Sequence, residues 1–118
     1  GVCYYSYRHR RIFELPRSGA LRRIHGLYED RDGVLWAASV GYGVWRIELS
    51  GSADAPVAAN VEPVELGLKA RSRNFFFSVC EESDSTLWFC NHGIGVVHYD
   101  RRAAARNPIT ATTSCAAG

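Results

Sequence analysis

Short apolar runs broken by acidic or glycine-rich turns set the rhythm of this chain, and no stretch sustains a helical period. Ile24 to Asp30 and Phe75 to Glu82 are apolar-rich runs that each enter an acidic turn. Asp30-Arg31-Asp32-Gly33 reads as a hairpin turn, in which Asp bonds its own following backbone and Gly supplies a positive φ. Val34 to Ser39 and Thr86 to Asn91 then read as return strands. Gly41-Tyr42-Gly43 and Gly93-Ile94-Gly95 make the next turns, and Val44 to Leu49 and Val96 to Tyr99 are third strands. Arg11 to Leu15 and Val61 to Leu66 fit fourth, outer strands, and Ala103 to Arg106 has room for one helical turn. The inner strands are apolar on both faces, with Ile24 and Tyr28 on one and Leu27 on the other. A sheet stacked between neighbours needs that pattern; a sheet with one wet face alternates more cleanly.

The pattern repeats. Ile24 to Glu48 aligns without gaps on Phe76 to Asp100, 52 residues on, as Trp36 to Trp88. Glu29, Asp32, Leu35, Trp36, Gly41, Gly43 and Val44 recur as Glu81, Asp84, Leu87, Trp88, Gly93, Gly95 and Val96. A partial copy opens the chain, where Gly1 to Tyr5 matches Gly43 to Ile47. The second spacing is the longer, and the extra length falls in 51–67, rich in Ala, Pro, Gly and Ser, which reads as a surface loop insertion. Four antiparallel strands per repeat of about 40–50 residues is the arithmetic of a β-propeller blade. The expected architecture is all-β, with about two four-stranded blades of a larger ring. Residues 1–23 would end one blade with its third and outer strands, 24–75 would form a blade with the insertion, and 76–118 a second, degenerate blade with an irregular tail. Trp36 and Trp88 are the expected anchors between blades.

Composition narrows the function little. The chain has 118 residues, 47% hydrophobic and 22% charged, with net charge +2. These values exclude a disordered tail or a long apolar span, and they argue against nucleic acid and direct membrane contact as partners. With no Met, the chain reads as a piece of something longer. Lys69 is the one lysine among 14 basic residues. The arginines at 8, 10, 11 and 17, interleaved with Tyr4, Tyr5, Tyr7 and Phe13, resemble a base-stacking surface, but the polar face of an outer strand explains them as well. Cys3, Cys80, Cys90 and Cys115 show no metal spacing, and strand pairing about the Asp84 turn sets Cys80 opposite residue 87 or 88 rather than Cys90.

Tyr28-Glu-Asp-Arg-Asp-Gly-Val-Leu-Trp36, followed by Gly41-Tyr-Gly-Val-Trp-Arg-Ile47, resembles the repeat of the two-component regulator propeller family. Cys80-Glu-Glu-Ser-Asp-Ser-Thr-Leu-Trp88, then His92-Gly-Ile-Gly-Val96, is similar to a degenerate second copy, with Glu82 for Asp and Ser85 for Gly. The resemblance implies a periplasmic sensor propeller of a bacterial receptor, whose histidine kinase or diguanylate cyclase output lies in other domains. It implies further blades of the parent chain as partners and an oligosaccharide as ligand. The alternative is a propeller module of a secreted carbohydrate-active enzyme or of a protein-interaction scaffold.

The candidate chemistry is binding. Propeller loops that enter the inner strand share a face with those joining the second and third strands. That geometry collects Arg23, His25, Arg73 and Asn74 from the former and Tyr42 and His92 from the latter. Rings stack on sugar C–H faces, and guanidinium and amide groups bond hydroxyls. Asp32, Gly33, Leu35, Trp36, Gly41, Gly43, Asp84, Leu87, Trp88, Gly93 and Gly95 form the structural motif. The acids at 29, 30 and 32 do not follow the calcium-loop spacing, and Gly41-x-Gly43 lacks the remainder of a nucleotide fingerprint, so neither metal nor cofactor is expected. His9, His25, His92 and His98 have no partnered nucleophile in the pattern, and no catalytic residue is expected. The isolated chain is expected to self-associate through exposed blade faces.

Overall fold

The computed structural model describes residues 1–19, 21–66, 75–83, 85–92 and 95–102, and the backbone of 112–114. Arg73, Asn74, Asp84, Gly93 and the expected turn at Ala103 to Arg106 lie outside the described residues.

Among the described residues, ten strands build three antiparallel sheets. The first pairs β1 (Cys3–Ser6) with β2 (Arg11–Glu14). The second runs in chain order through β3 (Ile24–Glu29), β4 (Leu35–Ser39), β5 (Gly43–Ser52) and β6 (Ala55–Pro63). The third runs β7 (Phe76–Glu81), β8 (Thr86–Asn91), β9 (Gly95–Asp100) and β10 (Thr112–Ser114). Two consecutive four-stranded meanders of this kind, with half of another before them, are the blades the repeat arithmetic calls for.

The turns form where small residues permit them. Gly33 and Gly41 take φ of 82° and 97°, and Gly43 and Gly95 take 85° and 107°. A side chain would be strained in that left-handed region, so these glycines end one strand and start the next. Cys80 lies opposite Trp88 and Cys90 opposite Ser78, which leaves the two thiols out of register.

Two apolar cores separate the sheets. Val2, Leu15, Leu21, Leu35, Ala37, Ile47 and Ala58 fill the space between the first and second. Between the second and third lie Trp36, Ala38, Val44 and Leu66 against Phe76, Leu87, Phe89, Val97 and Tyr99. Trp36 is 1% exposed, with the rings of Phe89 and Tyr99 centred 6.1 and 6.0 Å away. Alternate strand residues point to opposite faces, so Trp36 and Ala37, neighbours in β4, serve different cores.

The structure differs from the sequence reading in two places. The stretch expected to be an inserted loop is mostly strand: β5 runs to Ser52, β6 starts at Ala55, and Ser50, Gly51 and Ser52 pair with Val57, Pro56 and Ala55. Its prolines are tolerated because β6 is the edge strand of its sheet, so a missing N–H breaks no second ladder. The tail after Asp100 is not wholly irregular, because β10 returns to pair with β9 through Thr113 opposite Val97.

Candidate functional site

The inner strands end in two chemically different rims. At one end lie the β3–β4 and β7–β8 turns with their acids. At the other end lie the segments entering β3 and β7 and the turns after β4 and β8.

The acidic rim is structural. Asp30 Oδ1 accepts from the backbone N–H of Asp32 at 2.8 Å and of Val34 at 3.0 Å. Oδ2 accepts from Trp36 Nε1 at 2.8 Å and from Arg101 of the third sheet at 2.5 Å. Burial alone would raise the Asp30 pKa, but these four donors outweigh it and hold the carboxyl below its ordinary value. Arg101 also reaches Glu81 at 3.3 Å, Tyr28 donates to Glu81 at 3.2 Å, and Arg31 pairs with Glu81 at 3.4 Å. The sequence reading gave the motif role to Asp32, whose side chain is 72% exposed and approaches Arg101 only at 3.9 Å. The turn aims Asp30 inward instead. In the second copy Glu82 takes the place of Asp30, receiving Thr86 Oγ1 at 3.1 Å and meeting His98 Nε2 at 2.8 Å. Hydrogen bonds from His98, then Thr86, lower its pKa. Trp36 is thus bonded to its acid directly, whereas Trp88 stacks on His98, which meets Glu82. A cleft of about 760 Å³ opens beside this network, lined by Asp30, Asp32, Arg46, Glu62 and Arg101 among others.

The opposite rim gathers the candidates for binding. Val40 N–H donates to the Arg23 carbonyl at 3.0 Å, Val40 bridges Phe75, and His92 N–H donates to the Phe75 carbonyl at 2.9 Å. This backbone chain fastens both blades edge to edge at the rim. Both inner strands carry a β-bulge at the same repeat position. Ile24 pairs with Ser39 and Gly26 with Ala38, leaving His25 unpaired; Phe76 pairs with Asn91 and Ser78 with Cys90, leaving Phe77 unpaired. A bulge re-aims its extra side chain. Here the two extra side chains meet edge-on at 5.9 Å, and His92 also meets Phe77 edge-on at 5.9 Å. Phe75 and Phe77 are each 39% exposed.

His25 and His92 thus form a trio of rings with Phe77, and the Arg23 carbonyl lies on the backbone chain through Val40 and Phe75. Tyr42 lies on the same rim, exposed, with its carbonyl accepting from Trp45 Nε1 at 3.0 Å, but among the described residues its ring does not join the trio. Phe75, Phe77 and Gly26 were missed. Their signals are three consecutive phenylalanines, which alternation sends to opposite faces of the strand, and a glycine inside a strand, which marks close backbone approach. A Cβ on Gly26 would stand 2.4 Å from the Phe77 carbonyl oxygen, so only glycine lets β3 and β7 come this close. Among the described residues no cluster of His, Cys, Asp and Glu could hold a metal ion.

Sheet order, turns and cores define the class, a segment of a β-propeller. Residues 18–41 match the family model described as the two component regulator propeller. That match spans the segment entering β3, the acidic turn and β4 as far as Gly41, so this stretch is similar to one repeat of that family. No curated protein and no solved structure matches the chain.

Proposed function

We propose that this chain is part of a ligand-sensing propeller of a bacterial signal-transduction receptor, and that the rim around Phe77 contacts a carbohydrate. The observation that carries the reading is the paired bulge, which turns His25 and Phe77 out of their ladders onto one surface with His92. A half-exposed phenyl ring edged by two imidazoles offers an apolar face for sugar C–H groups and polar edges for hydroxyls. The proposed role is recognition, with His25 and His92 edging the aromatic ring. On this reading the module faces the periplasm, and the kinase or cyclase output belongs to other domains. Calorimetric titration of the full chain with a panel of oligosaccharides tests it. Phe77→Ala is expected to weaken any hit at least tenfold, as loss of about 1.4 kcal/mol of stacking would. Unchanged affinity in that variant would place the ligand elsewhere.

A further inference from the structure

We infer that the open edge of β1 and the apolar groove beside it receive an extended strand carrying a tryptophan. The strand lies antiparallel to β1, with its indole across from Tyr4 and over Leu27 and Leu35. This does not depend on the proposed carbohydrate contact.

The two interfaces between sheets follow one plan, and the first leaves part of it unfilled. The Val44 carbonyl accepts from Val64 N–H at 2.8 Å, and the Val2 carbonyl from Leu15 N–H at 2.6 Å. β1 and β2 therefore hold the places of β5 and β6, with Tyr4 where Arg46 stands. In the second sheet β4 lies beside β5 and sets Trp36 opposite Arg46. The indole of Trp36 covers the third sheet, where Phe89, Tyr99 and Val79 pack into the same cluster. Among the described residues no strand holds the corresponding place beside β1. Because the Val2 carbonyl faces β2, alternation turns the backbone groups of Cys3 and Tyr5 to the open edge. Leu27, which holds Val79's place in the earlier repeat, is 47% exposed and lies outside the core that takes in Leu35 and Ala37. A cavity of about 320 Å³ stands there, lined by Val2, Cys3, Tyr4, Leu27, Leu35 and Leu49 among others. It corresponds to the place of Trp36 at the other interface. Edge amides and carbonyls accept any extended strand, and the cavity selects one with a large apolar side chain across from Tyr4. Arg101, which receives Asp30 at the filled interface, corresponds to Leu49, and Glu81 corresponds to Glu29, which also lines the cavity. A carboxylate arriving there would meet Glu29 with no arginine between them, so the strand received is uncharged at that place.

The probe is a synthetic peptide of residues 24–39 carrying Asp30→Asn, a copy of the hairpin that supplies such a strand in the second sheet. It is titrated into the full chain, and amide hydrogen exchange followed by NMR reads where it binds. The expected result is slowed exchange at Cys3 and Tyr5, with affinity at least about tenfold above that of the same peptide with Trp36→Ala. That control leaves the chain itself unaltered, so its weaker binding cannot come from misfolding. Leu27→Lys in the chain, at a side chain already half-exposed, should weaken the first peptide by about the same factor. Equal affinity of the two peptides, no binding of either, or slowed exchange on β8 and β9 in place of Cys3 and Tyr5 would overturn the inference.

Discussion

The indole N–H of Trp36 donates to Oδ2 of Asp30 at 2.8 Å, and the same oxygen takes Arg101 from the neighbouring sheet. One carboxylate thus fixes the orientation of the core tryptophan and fastens two blades. Replacing Asp30 by Ala strands a buried indole N–H and two turn amides, and leaves the Arg101 guanidinium with Glu81 as its remaining close carboxylate. The expected loss is about 3 kcal/mol, as for other broken buried pairs. Asp30→Asn, which still accepts from the indole, should lose less. Urea unfolding of the three proteins checks this; an unshifted midpoint in Asp30→Ala would refute the fastening role.

The same carboxylate sets a pH dependence. Its folded pKa lies below the ordinary value of 3.8, because the donors from Trp36, Val34, Asp32 and Arg101 outweigh burial. The unfolded chain therefore takes up the proton first as pH falls. This contribution is fully present above the unfolded pKa and is lost as pH drops through the folded one. Stability should decline below roughly pH 4, and Asp30→Asn should flatten the slope. Glu82, lowered by His98 and Thr86, acts in the same direction and accounts for what slope remains. Equal slopes in both proteins would show that Asp30 is not the group responsible.

The order of strands and turns was legible because each turn depends on a local requirement, such as the positive φ met by Gly33, Gly41, Gly43 and Gly95. The anchor role of Trp36 was legible too, since the repeat isolates it. What stayed hidden depends on a partner strand. Nothing within β3 says that His25 will be skipped by the ladder; that follows from how Ser39 and Ala38 pair across it. Asp30 and Asp32 are alike as turn residues, and only the position of Trp36 and Arg101 decides which one turns inward. The Ala- and Pro-rich stretch read as loop because composition does not reveal that it lies on a sheet edge.

Gly26 links the fold to the rim. Its missing side chain would meet the Phe77 carbonyl oxygen at 2.4 Å and Ser78 Cα at 2.7 Å, both backbone atoms with no rotamer to yield. Gly26→Ala should therefore part β3 from β7 beside the two bulges, at a cost of about 1–3 kcal/mol as for overpacked cores. Gly19→Ala, where a Cβ meets nothing within 4 Å, is the control and should be near neutral. If the proposed binding site is right, Gly26→Ala also weakens oligosaccharide binding, because His25 and Phe77 no longer meet. Thermal melts close to wild type for Gly26→Ala would show that the strands have slack.

Trp36 and Trp88 occupy the same place in their repeats with different cover. Trp36 is sealed by Phe89 and Tyr99, whereas Trp88 is only partly buried, stacked by His98 from its own sheet at 4.2 Å. The first sheet also leaves an edge, since among the described residues β1 pairs with no strand but β2, and Leu27 nearby is 47% exposed. An open strand edge and an apolar sheet face both invite pairing with another copy. The chain is therefore expected to form concentration-dependent oligomers in light scattering. Trp88→Lys should shift the distribution toward monomer by placing a charge on the open face, while a charge on the already solvated Tyr7, 85% exposed, should not. A sharp monomer peak at every concentration, with cooperative unfolding, would show that these surfaces are stable in water as they stand.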